Sequence, residues 1–320
     1  MESTPKNPYH DTITDKEQEA IVKFKATLAT EKDLVPPSLL EDNDTLICFL
    51  RARKCDIAKS KKMIMDYLKW RIDYKVEDIY SNYVLDTIHE LTIFYPHNFH
   101  KTAKNGEPLY IQILGDLKID ELFRVAPLES IVKYSTQQYE RMVRDVFPAC
   151  SVAAGKYVHG LFSIIDLKKL NRHLVCKKVY NLIQADMTIC QNYYPESLGE
   201  SYIINAGFLF KTMYTIVKAF LDAKTRSKIK IFGSNYQSAL LEKIDKENLP
   251  TVLGGTCTCP PEGCLFSCAG PWRKFPTPPV TEEIVKKRKA LMESLADKKK
   301  KKGDKEEEPS DEGEIKVDDK

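Results

Sequence analysis

Four cysteines share one short loop, Cys257-x-Cys259-x4-Cys264-x3-Cys268. Four thiolates can close a tetrahedral zinc site. The C-x-C spacing is unusual for zinc, and Pro260-Pro261 crowd the loop. Structural thiols are therefore expected, and no metal is assigned. A second set of polar residues is scattered. Arg51, Arg53 and Lys54 close an apolar helical run, Glu196 ends the loop Tyr193-Tyr194-Pro195-Glu196, and Lys228 precedes a β-like run. Cations at a helix end complement its dipole, and the same cations can clamp a phosphate. Taken singly, Lys228 is an ordinary surface lysine, Glu196 an ordinary loop acid, and Tyr110 and Tyr139 half-buried aromatics. Covalent chemistry has no comparable starting point. The chain has no G-x-S-x-G elbow, Walker-type loop, dinucleotide glycine fingerprint or H-E-x-x-H, and its 6 histidines lack metal-like spacing. Neither an enzyme nor a cofactor is expected.

The elements that would position these residues begin with the segment after Glu196. A short apolar strand, Tyr202 to Ala206, passes through Gly207 into an apolar helix. Phe208, Leu209, Met213, Ile216, Val217, Phe220 and Leu221 cover most of its circumference, leaving a narrow polar stripe at Lys211 and Lys218. Such a helix is either buried or covers something apolar. With a carboxylate held in the loop before it, it suggests a pocket for an apolar ligand with a polar head. The two lysines and the preceding strand argue against a membrane span.

Composition sets wider bounds. The 320 residues could hold one large or two modest domains, and 42% hydrophobic content suffices for a core. A net charge of +3 is small for a nucleic-acid binder, and none is expected as a partner. The opening MESTPKNPYHDT is not an apolar leader, so a cytoplasmic chain with its 9 cysteines reduced is expected.

Along the chain, residues 1–12 read as disordered. Thr14 to Glu17 has capping-box spacing before Ala20, Ile21, Phe24 and Leu28. Pro36-Pro37 is expected to close that helix. Asp44 is read as the cap of a second helix, and Asp56 of a third. Residues 13–94 thus form an all-helical module. From about residue 95, β-like runs at Leu109–Leu114, Leu161–Leu167, Tyr202–Ala206 and Ile229–Phe232 alternate with helices near 127–145, 173–191 and 208–222. This βα rhythm predicts an α/β layer with a mainly parallel sheet over residues 95–272. Residues 273–320 are a charged, largely disordered extension containing the lysine run 298–302. That run is either a solvated tail or a patch drawn to anionic lipid, where each cation near the surface adds about 1 kcal/mol.

Taken together, the motifs resemble a known family. Phe49-Leu50-Arg51-Ala52-Arg53-Lys54 is similar to the FLRARK motif of the CRAL-TRIO N-terminal helical module. Phe94-Tyr95-Pro96, Asn105 to Tyr110, Phe147 to Ser151, Ile165-Asp166-Leu167, Asn192 to Glu196, Ile203 to Ala206, Ser227-Lys228-Ile229, Asn248-Leu249-Pro250, Gly254-Gly255 and Gly270-Pro271-Trp272 follow in register. Across roughly residues 40 to 273 the chain resembles the CRAL-TRIO phosphatidylinositol/phosphatidylcholine transfer proteins of the secretory pathway. The loop Gly254 to Cys259 is most similar to the plant-type branch.

The resemblance implies a helical module packed on a lipid-binding domain whose apolar pocket holds one phospholipid, with Gly207 to Leu221 as its gate and Gly207 as the hinge. It implies phosphatidylinositol head-group contacts at Arg53, Lys54, Glu196, Thr225 and Lys228, with Ser197 replacing the family's arginine after the glutamate. Tyr110 and Tyr139 match the second-lipid pocket, whereas Phe99, Ile113, Leu161 and Ser163 replace its polar residues. Weakened phosphatidylcholine exchange follows from that. The resemblance further implies transient contact with Golgi, endosomal or plasma membranes, a phosphoinositide kinase as a partner and a monomeric carrier. A carrier of another apolar ligand, such as a sterol, tocopherol or retinoid, and a lipid-sensing membrane scaffold are the alternatives.

Overall fold

The computed structural model describes residues 13–210, 214, 215, 218, 221, 223–259, 263–272, 282, 286, 289–291 and 293. The chain divides into two compact units, residues 1–279 and 280–320. In the second, the described positions are helical.

Among the described residues the first unit opens with six helices: α1 (Asp15–Leu28), α2 (Pro37–Glu41), α3 (Asn43–Ala52), α4 (Ile57–Asp73), α5 (Val76–Asn82) and α6 (Ile88–Phe94). Local chemistry sets their starts. At α1 the Glu17 amide donates to Thr14 Oγ1 while the Thr14 amide donates to Glu17 Oε2, the reciprocal box its spacing predicts. Asp56 caps α4 by accepting from the Lys59 amide. Two expectations change. Pro36-Pro37 begins a helix, because proline's fixed φ and missing N–H suit a first turn. The cap of α3 is Asp42, which accepts from both the amide and the hydroxyl of Thr45, and not Asp44. Ile21, Phe24, Leu28, Leu46, Ile47, Leu50 and Ile64 form the core that fixes the C-terminal end of α3.

Five strands follow in the spatial order β1-β2-β3-β4-β5: β1 (His97–Thr102), β2 (Pro108–Ile113), β3 (Leu161–Asp166), β4 (Leu198–Ile204) and β5 (Ile229–Ile231). β1 pairs antiparallel with β2, and the remaining pairs are parallel. The polar sequence of β1 hides it from the apolar rhythm. Between the strands lie α7 (Ile119–Val125), α8 (Leu128–Arg141), α9 (Phe147–Ala154), α10 (Lys177–Tyr193) and α11 (Ala223–Ser227), and after β5 come α12 (Gln237–Lys243) and α13 (Cys264–Ser267). A π-helical turn over Met142–Val146 joins α8 to α9.

Alternation gives the sheet two faces. Leu109, Ile111, Ile113, Phe162, Ile164, Tyr202 and Ile204 pack with Leu240 and Ile244 of α12 and with Leu249 and Leu253. Phe99, Tyr110 and Leu161 belong instead to the cluster of Tyr139, Met142, Val146, Phe147, Cys150 and Trp272. Ile113 was expected to line the second-lipid pocket with Tyr110. An odd offset along β2 turns it to the opposite face, and Gln112 takes that place.

Candidate functional site

The C-terminal half of α3 lies within electrostatic reach of Glu196, whose charge acts on Cys48. Arg53 caps α3, and Lys54 and Cys55 both take left-handed backbone, with φ of 53° and 60°. Glu196 does so as well, with φ of 63°. Non-glycine residues enter this region at a steric cost, and such positions concentrate where side chains must be aimed. The Lys224 ammonium lies 2.6 Å and that of Lys228 3.9 Å from Glu196 Oε2. Lys228 Nζ also donates to the Leu198 carbonyl at 2.5 Å. Thr225 lies between the two lysines on α11.

Electrostatics joins the two halves. Cys48 Sγ on α3 is 3.2 Å from His159 Nε2. Burial holds the His159 imidazole down near 4, and the charges of Glu196 and Lys228 both reach it. Burial raises Cys55, and the charge of Lys224 opposes that shift. Glu196, Lys224 and Lys228 are thus brought together, with Thr225 on α11 beside them, and the end of α3 that carries Arg53 and Lys54 lies within electrostatic reach. Lys224, four positions before Lys228, was not singled out from the sequence.

The second group lines the interior under α8 and α10. Tyr139 Oη donates to Asp186 Oδ2 at 3.2 Å and stacks on Tyr194 at 4.9 Å. Gln112 Nε2 donates to Tyr95 Oη at 3.2 Å, and Phe99 packs on Tyr110 at 4.9 Å. Burial pushes the Asp186 carboxyl up to about 6, against hydrogen bonds from Tyr139 and Ser135. Burial likewise raises the phenols of Tyr95, Tyr110 and Tyr139 and lifts the Cys190 thiol to about 11, and the charge of Asp186 adds to each. Yet all five residues keep part of their surface open. Phe99 and Leu161 border this group, and Ser163 lies buried on β3 opposite Tyr110. Asp186 gave no sequence signal, because its neighbours come from other elements.

At the expected gate, Gly207 and Phe208 are exposed, Phe208 at 82%. Phe208 and Leu209 occupy a turn, and the helix begins at Phe210. Phe210 is buried against Leu167, Ile203 and Ala206. Leu221 is buried. Gly207 does not adopt positive φ; Asn205 does, at 54°. Met213, Ile216, Val217 and Phe220 lie outside the described residues, as does the lysine run 298–302. Among the described residues, no helix is long and apolar enough to cross a membrane.

The cysteine loop divides. Cys257, Cys259 and Cys264 converge with His100 of β1. Cys268 stands apart, its carbonyl and thiol both accepting from Trp272 Nε1 at 3.1 and 3.3 Å.

The CRAL/TRIO domain profile matches residues 95–255. The phosphatidylinositol/phosphatidylcholine transfer protein SFH11 of Arabidopsis thaliana is 37% identical over 268 residues, covering 83% of this chain and 70% of that protein. The Sec14 cytosolic factor of Schizosaccharomyces pombe is 40% identical over 233 residues, covering 73% and 81%. A second Arabidopsis transfer protein, SFH9, is 36% identical, with 88% of this chain matching 48% of its length. This chain therefore spans about half of that relative. The crystal structure of Sfh5 superposes with a TM-score of 0.62 over 89% of this chain and 98% of Sfh5; at 17% identity the likeness is one of fold.

Proposed function

The chain belongs to the CRAL/TRIO domain family, and from that premise we propose that it binds phosphatidylinositol and transfers it between membranes without covalent chemistry. The observation that supports this reading is the pairing of Lys224 and Lys228 with Glu196, with the end of α3 that carries Arg53 and Lys54 within electrostatic reach. Lysines and an arginine can pair with a lipid phosphate by charge-assisted bonds, while Glu196 accepts from inositol hydroxyls or orients the cations. An apolar carrier for sterols or retinoids needs no such cluster. The transfer proteins among its relatives support the same reading.

In this proposal the segment from Gly207 to Leu221 swings outward at an anionic bilayer, one phospholipid enters with its acyl chains inward, and the segment closes. The chain works as a monomer in the cytoplasm, visits Golgi, endosomal or plasma membranes, and presents its cargo to a phosphoinositide kinase. Choline-lipid exchange is weak, because Leu161 cannot donate to a phosphate and a buried phosphate lacking donors is costly. Asp186 adds a negative field to that chamber.

The test is transfer of labelled phosphatidylinositol and phosphatidylcholine between vesicles. The Lys54→Ala, Lys228→Ala variant should lose phosphatidylinositol transfer with an unchanged melting curve. Normal transfer by that variant removes the head-group assignment. Equal transfer of both lipids by the unaltered protein removes the choline argument.

A further inference from the structure

The residues that best fit a ligand outside the lipid site are His100, Cys257, Cys259 and Cys264. One ligating atom from each lies within 4.8 Å of all the others. Around zinc, bonds of about 2.0–2.3 Å set ligand-to-ligand edges of roughly 3.5–3.8 Å in a tetrahedron. The Cys257–Cys259 pair already stands at 3.4 Å. We propose that these four side chains bind one zinc ion, a closed structural centre of three thiolates and one imidazole.

His100 supplies an independent reason. Its side chain is fully buried on β1, and neither ring nitrogen makes a well-aligned hydrogen bond. Buried polar atoms seldom remain in that state. The backbones of Cys264 and Asn248 lie near the ring. One nitrogen on the metal and the other toward a backbone carbonyl is the usual arrangement for a zinc-bound histidine.

The loop is built to aim its sulfurs. Cys257 is anchored through its amide to the Leu249 carbonyl and through its carbonyl to the Thr251 amide, at 3.0 Å each. A side chain at Gly255 would meet the Leu249 carbonyl oxygen at 1.9 Å, so only glycine allows this approach. Cys259 and Gly263 both take positive φ, 44° and 86°, and turn the chain back to Cys264. Three thiolates and an imidazole leave the centre with one net negative charge, and Lys101 hydrogen-bonds beside Cys257. Cys268 is the wrong fourth ligand because Trp272 holds it. With four protein ligands there is no open position for catalysis. The centre instead pins the 257–264 loop to edge strand β1, whose other face carries Phe99 against Trp272.

The test begins with the full chain, purified without chelator or polyhistidine tag, by elemental analysis and native mass spectrometry. One zinc per chain is expected, with Cys268→Ser unchanged and His100→Ala and Cys259→Ser falling at least tenfold. Because those variants could unfold, Co(II) titration of the unaltered, reduced chain after its bound metal has been stripped by chelator and dialysed away is the second measurement. Tetrahedral d–d bands and sulfur-to-cobalt charge transfer should appear and then vanish on adding zinc. A reduced chain that carries no zinc and gives no cobalt bands overturns the proposal, as does equal zinc loss in Cys268→Ser and His100→Ala.

Discussion

Asp186 holds a carboxyl group among phenols and a thiol, with the hydroxyls of Tyr139 and Ser135 as hydrogen-bonding neighbours. Its proton is bound more tightly in the folded chain than in the unfolded one, whose carboxyl titrates near 3.8. Between these values unfolding releases a proton, so this group's contribution to stability falls as pH rises from about 4 to about 6. Asp186→Asn should flatten that slope and gain about 2–3 kcal/mol at pH 7. Urea melts at pH 4, 5, 6 and 7 check this, and parallel profiles for both proteins refute it. At this scale the sequence singled out Arg53, Lys54, Glu196 and Lys228 through short contiguous motifs, and Thr225 only through the family resemblance. It did not disclose Asp186 or His100, whose meaning depends on partners remote in the chain. Nor could it show that Gln112 rather than Ile113 faces Tyr110 until the pairing of Tyr110 with Ser163 fixed the strand's faces.

Helices α4, α5 and α8 are joined to the Tyr194 loop by one buried network. Glu140, with 1% of its side chain exposed, accepts from Arg71 at 2.8 Å, from Arg144 at 2.7 Å and from the Tyr194 hydroxyl at 2.6 Å. Glu77 on α5 bonds to both arginines. Removing one member strands the others, so Glu140→Ala should cost about 3–5 kcal/mol, and Glu140→Gln less. Chemical denaturation measures both, and a loss below about 1 kcal/mol for the alanine variant would contradict the network's role. Elements with a local signal were readable, as the caps at Thr14 and Asp56 demonstrate. β1 was not, since its HNFHKT sequence earns strand conformation only by pairing with β2.

For the molecule as a whole, the order of a helical module before an α/β layer was legible from the change of hydrophobic period. How the two halves meet was not, because contacts such as Cys48–His159 join distant segments. The exposed ring of Phe208 gives the membrane proposal its simplest handle. Burying such a side chain yields about 1.5–3 kcal/mol, so Phe208→Asp should weaken vesicle binding on the order of tenfold or more. Flotation with anionic vesicles measures this, and unchanged binding counts against gating by that segment.

The aromatic packing has an optical consequence. The chain's 2 tryptophans occupy different places. Trp70 lies flat on Tyr193 with ring centres 3.9 Å apart, and Trp272 is buried beside Phe99. Replacing either with phenylalanine leaves a single tryptophan, which long-wavelength excitation selects over the 16 tyrosines. Emission from Trp70 then reports separation of the helical module from the Tyr193 loop, and emission from Trp272 reports changes in the packing around Phe99, without an attached dye.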